Sequence, residues 1–384
     1  MQRYTLNILF GVAAIALVVM AQTNVMDKYV LQILMLIGIN CIFATSLNLV
    51  NGYMGEFSCG HGGFMCVGAY VGSLLSVAFF TDSQLFGNAL FGPEWALPLF
   101  PLVLFGAMFA AALAGLLVAL PSFKTRDDYL AIITIAANYI IISLIENIDA
   151  IGGPRGFLGM KKTVNAMADS ANAWVDYVIS MLGFDYAIAD SDYAISGSVM
   201  MLVWTLIGVF VCVMVIRRLM TSTYGKGVSA VCQNEVAAEM MGVNTNRVKV
   251  MAFMVSSGLG GLAGVLYAHV YGYVNAQSFG LLKSTEGLVM VYLGGMGSIS
   301  GVLMAAIAFT LLIELLRFII PWLNTFLHET INVLPANYQI DQVWTWVFIP
   351  LMLILLMRFR PEGFLGNREL AHFLPGLRRW YTLK

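Results

Sequence analysis

Charge is what this chain has least of. Only 11% of its 384 residues are Asp, Glu, Lys or Arg, against about 25% in soluble domains. With 60% of the residues hydrophobic, a soluble globular fold is excluded. The net charge is −1 and no basic cluster stands out, so no nucleic-acid partner is expected. The five cysteines (Cys41, Cys59, Cys66, Cys212, Cys232) show no Cys-x-x-Cys spacing. They lie mostly in or beside apolar runs and read as small buried hydrophobes, not disulfides or metal ligands. The four histidines lack metal-ligand spacing as well, so no metal site is expected. No Gly-x-x-x-x-Gly-Lys-[Ser/Thr] occurs, which leaves the chain without a nucleotide-binding P-loop. No Gly-x-Ser-x-Gly occurs either, and no enzymatic site is expected.

What the chain has in abundance is apolar segments. They run over Leu6–Ala21, Tyr29–Val50, a stretch ending near Phe80, Pro101–Leu120, Tyr129–Ile148, Ser198–Ile216, Val250–Tyr271, Thr285–Leu293, Val302–Ile320 and Val343–Met357. Thr285–Leu293 is far shorter than the roughly 20 residues a crossing needs. The expected fold is an all-α polytopic membrane protein of about ten transmembrane segments, some short or Gly-broken, forming one domain over 1–384. Lys and Arg set the orientation. Placing both termini in the cytoplasm gathers Arg3, Lys124, Arg126, the group from Arg217 to Lys249 and the basic tail 358–384 on the inner side. The same placement puts the long 149–196 insertion outside. That insertion opens on the turn cluster Gly152–Gly156 and contains an apolar stripe of Trp174, Val175, Val178, Met181 and Leu182 that suits a membrane interface.

Between two apolar spans, inside the 217–249 loop, lies a polar island. Val228, Val231, Cys232, Val236 and Met240 fall on one helical face. Glu235 and Glu239 share another, and Gly242 stands where a left-handed residue ends a helix. The reading is one short amphipathic helix, too polar to enter lipid, that lies on the membrane surface or docks into a partner.

A glycine-rich joint spans 51–63. Its glycines Gly52, Gly55 and Gly60 permit a break between two helices, tolerated in a membrane only where protein or a water-filled cavity surrounds it. One reading is a hinge that allows close packing, with His61 as brace. In another, the amides near Gly60 open the next helix and favour an anion such as a substrate carboxylate. Glu56 in this joint needs a partner or a task if it lies in the bilayer, and is merely solvated if the joint is at the surface. Thr134 and Asn138, four apart on the fifth segment, share a face that lines a path or bonds neighbouring helices. Glu314 and Arg317, three apart, are expected to pair or snorkel. A second joint at Gly294, Gly295 and Gly297 raises the suspicion of repeat-built halves.

Two of these stretches resemble the LivM-type branched-chain amino-acid permeases of ABC importers. The first is the polar island, where Asn234, Glu235, Val236, Ala237, Ala238, Met240 and Gly242 match the coupling loop. Its Glu-Ala-Ala triplet falls on Val236–Ala238, with the acid one residue early at Glu235, and Ser229 and Cys232 replace the usual arginines. The second is the joint, with Gly52-Tyr-Met-Gly55 and Ser58-Cys-Gly-His61 in the hallmark positions and Glu56 in place of the commoner Gln. The resemblance implies a bacterial inner-membrane permease with a LivH-like second permease, two ATP-binding subunits carrying ATP and Mg, and a periplasmic substrate-binding protein. It implies Leu, Ile and Val as substrates, with Tyr53, Glu56, Ser58, His61, Thr134 and Asn138 as candidates for the translocation path. The same architecture also serves urea, short amides or another amino acid. A self-sufficient secondary transporter remains a further alternative, but it leaves the polar island unexplained.

Overall fold

Lipid offers no hydrogen bonds, so apolar runs must satisfy their own backbone, and helices do that within one segment. The computed structural model describes residues 5–23, 26–82, 87–123, 129–181, 194–325 and 342–344, with scattered positions beyond. In chain order the helices are α1 (Thr5–Gln22), α2 (Lys28–Asn48), α3 (His61–Phe80), α4 (Ala96–Ser122), α5 (Leu130–Glu146), α6 (Met160–Met181), α7 (Gly197–Thr221), α8 (Thr223–Gln233), α9 (Glu235–Met240), α10 (Thr245–Tyr271), α11 (Leu281–Gly294) and α12 (Ile299–Thr325).

Among the described residues, six helical stretches are long and apolar enough to cross a membrane: Lys28–Met54, His61–Phe80, Pro93–Ser122, Gly197–Thr221, Thr245–Tyr271 and Ile299–Trp322. A seventh, α5 with the turn at Asp149–Arg155, is bent by 83°. Phe10–Gln22 of α1 is a shorter apolar helix, and α11 has 14 residues. The tenth expected segment, Val343–Met357, is described only in part, and the basic tail falls almost wholly outside the described residues. The chain is a polytopic helical membrane protein.

α10 is the centre of the bundle, packed on α2, α3, α4 and α7. Small residues make this possible. A side chain at Gly68 of α3 would overlap the Gly261 backbone, and one at Gly264 would overlap the Met65 carbonyl. Helix backbones in lipid gain van der Waals contact by approaching this closely.

α4 fixes the distance between α6 and α8. Its start adjoins the turn Pro93–Trp95, which packs on α6. Its finish contributes Ala119, and beyond it Phe123, to a small core with Val228 of α8 and Val248 of α10. A helix of 27 residues is about 40 Å long, so α6 and α8 lie at opposite ends of the bundle. The insertion is tied to the end of α10 by an antiparallel ribbon that pairs Phe157 with Val274 and Leu158 with Tyr273. α6 exposes Trp174, Tyr177, Val178 and Met181. Val175 is half-buried, and Leu182 lies outside the described residues.

The single amphipathic helix expected over the polar island is in fact two. Asn234 leaves helical geometry at φ −162°, ψ 107°, and its Oδ1 accepts from the Ala237 N–H at 3.0 Å. It therefore ends α8 and N-caps α9, as asparagine readily does. This splits the expected face. Val228 and Val231 are buried, while Val236 is 70% exposed and Met240 84% exposed. Gly242 does end the second helix, at φ 84° with open space around it.

Candidate functional site

The first joint begins inside α2. After Asn48 the helix widens into a π turn over Leu49–Met54, and Gly55 closes it at φ 76°. Residues 55–60 then run without regular structure to α3, whose N-cap is Gly60. Asn51 holds the loop, its Oδ1 accepting from Ser58 N–H and its Nδ2 donating to the Ser58 carbonyl, each at 3.4 Å. The Cys59 N–H donates to Thr134 Oγ1 at 3.3 Å, and the Gly62 N–H to Ser284 Oγ at 3.0 Å. Hence α5 and α11 both grip the start of α3. The Ser284 contact occupies one of the amides that an anion there would use.

His61 is a brace. Its Nε2 is 3.0 Å from Ser46 Oγ, and its ring sits between Phe43 and Phe64 at centroid distances of 5.6 and 5.9 Å. Tyr53 is half-buried and packs against both apolar cores. Thr134 and Asn138 do share one fully buried face. Thr134 is spent on the joint. Asn138 is different: neither atom of its amide has a hydrogen-bond partner among the described residues, and Oδ1 lies 3.0 Å from where a Gly63 side chain would begin. Ser58 Oγ and His61 Nδ1 are likewise buried without a partner there.

The second joint meets the first. Gly295 and Gly297 have φ of 100° and 78°, and the chain reverses between α11 and α12. Asn48 spans the gap: Oδ1 accepts from the Gly297 N–H at 3.0 Å, and Nδ2 donates to the Ser298 carbonyl at 3.4 Å. Any side chain on Gly52 would strike the Gly297 nitrogen. The two joints, expected as separate features, form one contact.

Glu56 is neither solvated nor alone. It is 8% exposed, and its Oε1 lies 2.7 Å from Lys249 Nζ in the first turns of α10. The same ammonium reaches Glu235 Oε2, at the start of α9, at 2.8 Å. A carboxylate inside a bilayer costs roughly 2.5–3.5 kcal/mol, and a paired cation offsets that cost. In the sequence, Lys249 bears only on orientation. The available signal was a lysine opening an otherwise apolar span. The polar island also touches the joint sterically, since a side chain at Gly55 would meet Cys232 Sγ at 2.8 Å. Cys232 itself is exposed and the other four cysteines are buried. Among the described residues, Lys283 pairs with Glu286 at 2.7 Å and Arg317 with Glu314 at 3.4 Å, whereas Glu146 at the end of α5 has a buried Oε1 with no hydrogen-bond partner.

Two discontinuous segments in contact, with a polar segment ion-paired to their junction, describe a transport protein better than a catalyst. A family model described as the permease component of branched-chain amino acid transport systems matches residues 29–357. The chain belongs to that family. It is 32% identical over 319 residues to the high-affinity branched-chain amino acid permease protein LivM of Escherichia coli, covering 80% of this chain and 68% of that one. LivM of Salmonella typhimurium is 32% identical over 286 residues, covering 72% of this chain and 61% of that one. LivH of Escherichia coli is 29% identical over 86 residues, 22% of this chain and 28% of that one. The chain thus spans about two thirds of the length of the LivM relatives. No solved structure matches it.

Proposed function

We propose that this chain is the LivM-like subunit of an ABC importer that moves branched-chain amino acids across a bacterial inner membrane. A periplasmic binding protein delivers the substrate at the end that carries α6. A LivH-like permease completes the path. Two ATP-binding subunits, with ATP and Mg, act at the end that carries α8 and α9. Both termini and the 217–249 loop are cytoplasmic, and the 149–196 insertion is outside.

The observation that carries this reading is the exposure pattern of the polar segment. Val228 and Val231 are buried, fixing α8 to the bundle, while α9 and its C-cap Met241 present Val236, Met240 and Met241 at 70%, 84% and 84% exposure. Apolar side chains held outward on a charged segment form a docking face, and flexible methionines suit a contact that must survive movement. ATP-driven rigid-body movement of a partner would be passed to the bundle there.

The test is uptake of labelled leucine into vesicles containing the permease pair, with and without the ATP-binding subunits. Uptake that needs ATP, the ATPases and the binding protein supports the reading. Uptake without ATPases would favour a secondary transporter. Urea or a short amide outcompeting leucine would keep the architecture and change the substrate.

A further inference from the structure

The Lys249 cluster joins two parts that an importer must move together. Glu56 belongs to the loop between α2 and α3. Glu235 opens α9, the short helix that carries the exposed docking face. Lys249 sits on α10, the helix around which the bundle is packed. Its Nζ is 2.7 Å from Glu56 and 2.8 Å from Glu235.

The two arms differ. The side chains of Lys249 and Glu56 are 6% and 9% exposed, whereas that of Glu235 is 36% exposed. Parting Lys249 from Glu56 would strand a buried charge, so that arm holds. Parting Lys249 from Glu235 leaves a neutral buried pair and a carboxylate already in touch with water, so that arm releases. The backbone permits the release. α9 has six residues and joins α8 through the extended Asn234, so it can swing without unwinding α8 once the 2.8 Å bond from Thr245 Oγ1 to its Glu239 Oε1 parts as well. Two carboxylates share one ammonium in the docked arrangement. Withdrawal of Glu235 neutralises the charge beside the break.

We propose that Lys249 is the positioning residue through which displacement of α9 reaches the first helix break, with Glu235 as the releasable arm and Glu56 as the fixed one. The inference rests on the importer reading, because it assigns α9 to a moving ATPase.

The experiment uses the full importer in proteoliposomes. ATP hydrolysis is measured with and without leucine-loaded binding protein, and the readout is the ratio of the two rates. Lys249→Met is expected to insert and to co-purify with the ATPases, and to lower the ratio about 5-fold or more, the lower end of ordinary coupling between sites. Lys249→Arg, which keeps the cation, is expected to restore it. Glu235→Gln removes only the releasable arm and is expected to lower the ratio on its own, which keeps the test usable if Lys249→Met fails to insert. Adding Glu235→Gln to Lys249→Met should cause no further loss, because both act on one contact. Wild-type ratios in Lys249→Met or in Glu235→Gln, or independent losses that add in the double variant, would overturn the proposal. A wild-type assembly that the loaded binding protein fails to stimulate would defeat the importer reading instead, and this inference with it.

Discussion

The Asn48 side chain accepts the Gly297 N–H at 3.0 Å across 249 residues of sequence. This bond, with the weaker one from Asn48 Nδ2 to Ser298, is what makes two glycine joints a single site. Asn48 is fully buried, so water cannot replace it.

Asn48→Ala should therefore leave the part-buried Gly297 N–H without its acceptor and take one of two donors from the Ser298 carbonyl, which keeps the Val302 N–H, at a cost of about 1–3 kcal/mol. A lower unfolding midpoint in detergent and reduced uptake are expected. A midpoint and uptake equal to wild type would show that the joints do not depend on this clamp.

Much of the architecture is legible in the residues. Apolar runs mark the helices because lipid demands internal hydrogen bonding, and Gly242 marks a helix end because it must adopt positive φ. The split at Asn234 was hidden. An asparagine inside an amphipathic pattern looks like one more polar-face residue, and only its cap to Ala237 shows that it starts a new helix. Pairings between distant residues were hidden for another reason. Helical periodicity places residues on faces of their own helix and says nothing of which helix comes opposite. Hence the sequence marks Glu56 as needing a partner if it lies in the bilayer, and does not mark Lys249 as that partner.

Asn138 invites a test that separates stability from transport. Its amide is buried with no partner among the described residues, so an apolar side chain of similar volume removes an unmet polar group at little cost. Asn138→Leu is expected to unfold at the same or a higher temperature and to take up leucine more slowly, as for a residue lining the path. Unchanged uptake with a raised midpoint would mark Asn138 as a packing residue only.

Gly242 distinguishes docking from surface lying. No neighbouring atom blocks a side chain there, but φ is 84°, so a substitution strains the backbone by about 1 kcal/mol without disturbing the core. Gly242→Asp should insert normally, redirect α9 and lose co-purification with the ATP-binding subunits. Retention of the ATPases together with normal transport would remove α9 from the docking role.

Cys232 gives a native probe for sidedness and for the Glu56 contact. It is the exposed cysteine of the five. A membrane-impermeant maleimide should label it in inverted vesicles and spare it in right-side-out ones. An engineered Asn165→Cys on exposed α6 should show the opposite pattern. Labelling of both from the same side would refute the proposed orientation. The pH profile adds a second reading. The partial burial of its exposed side chain first, and the Glu56 carboxylate second, push the Cys232 thiol above its ordinary range. The thiolate is the reacting species. Raising the pKa means fewer thiolates at neutral pH, so labelling should be slow there and keep accelerating beyond pH ~8.5, where an ordinary thiol begins to level off. Glu56→Gln removes one cause of the shift and should move the profile to lower pH. A profile identical to wild type would show that Glu56 does not act on this thiol.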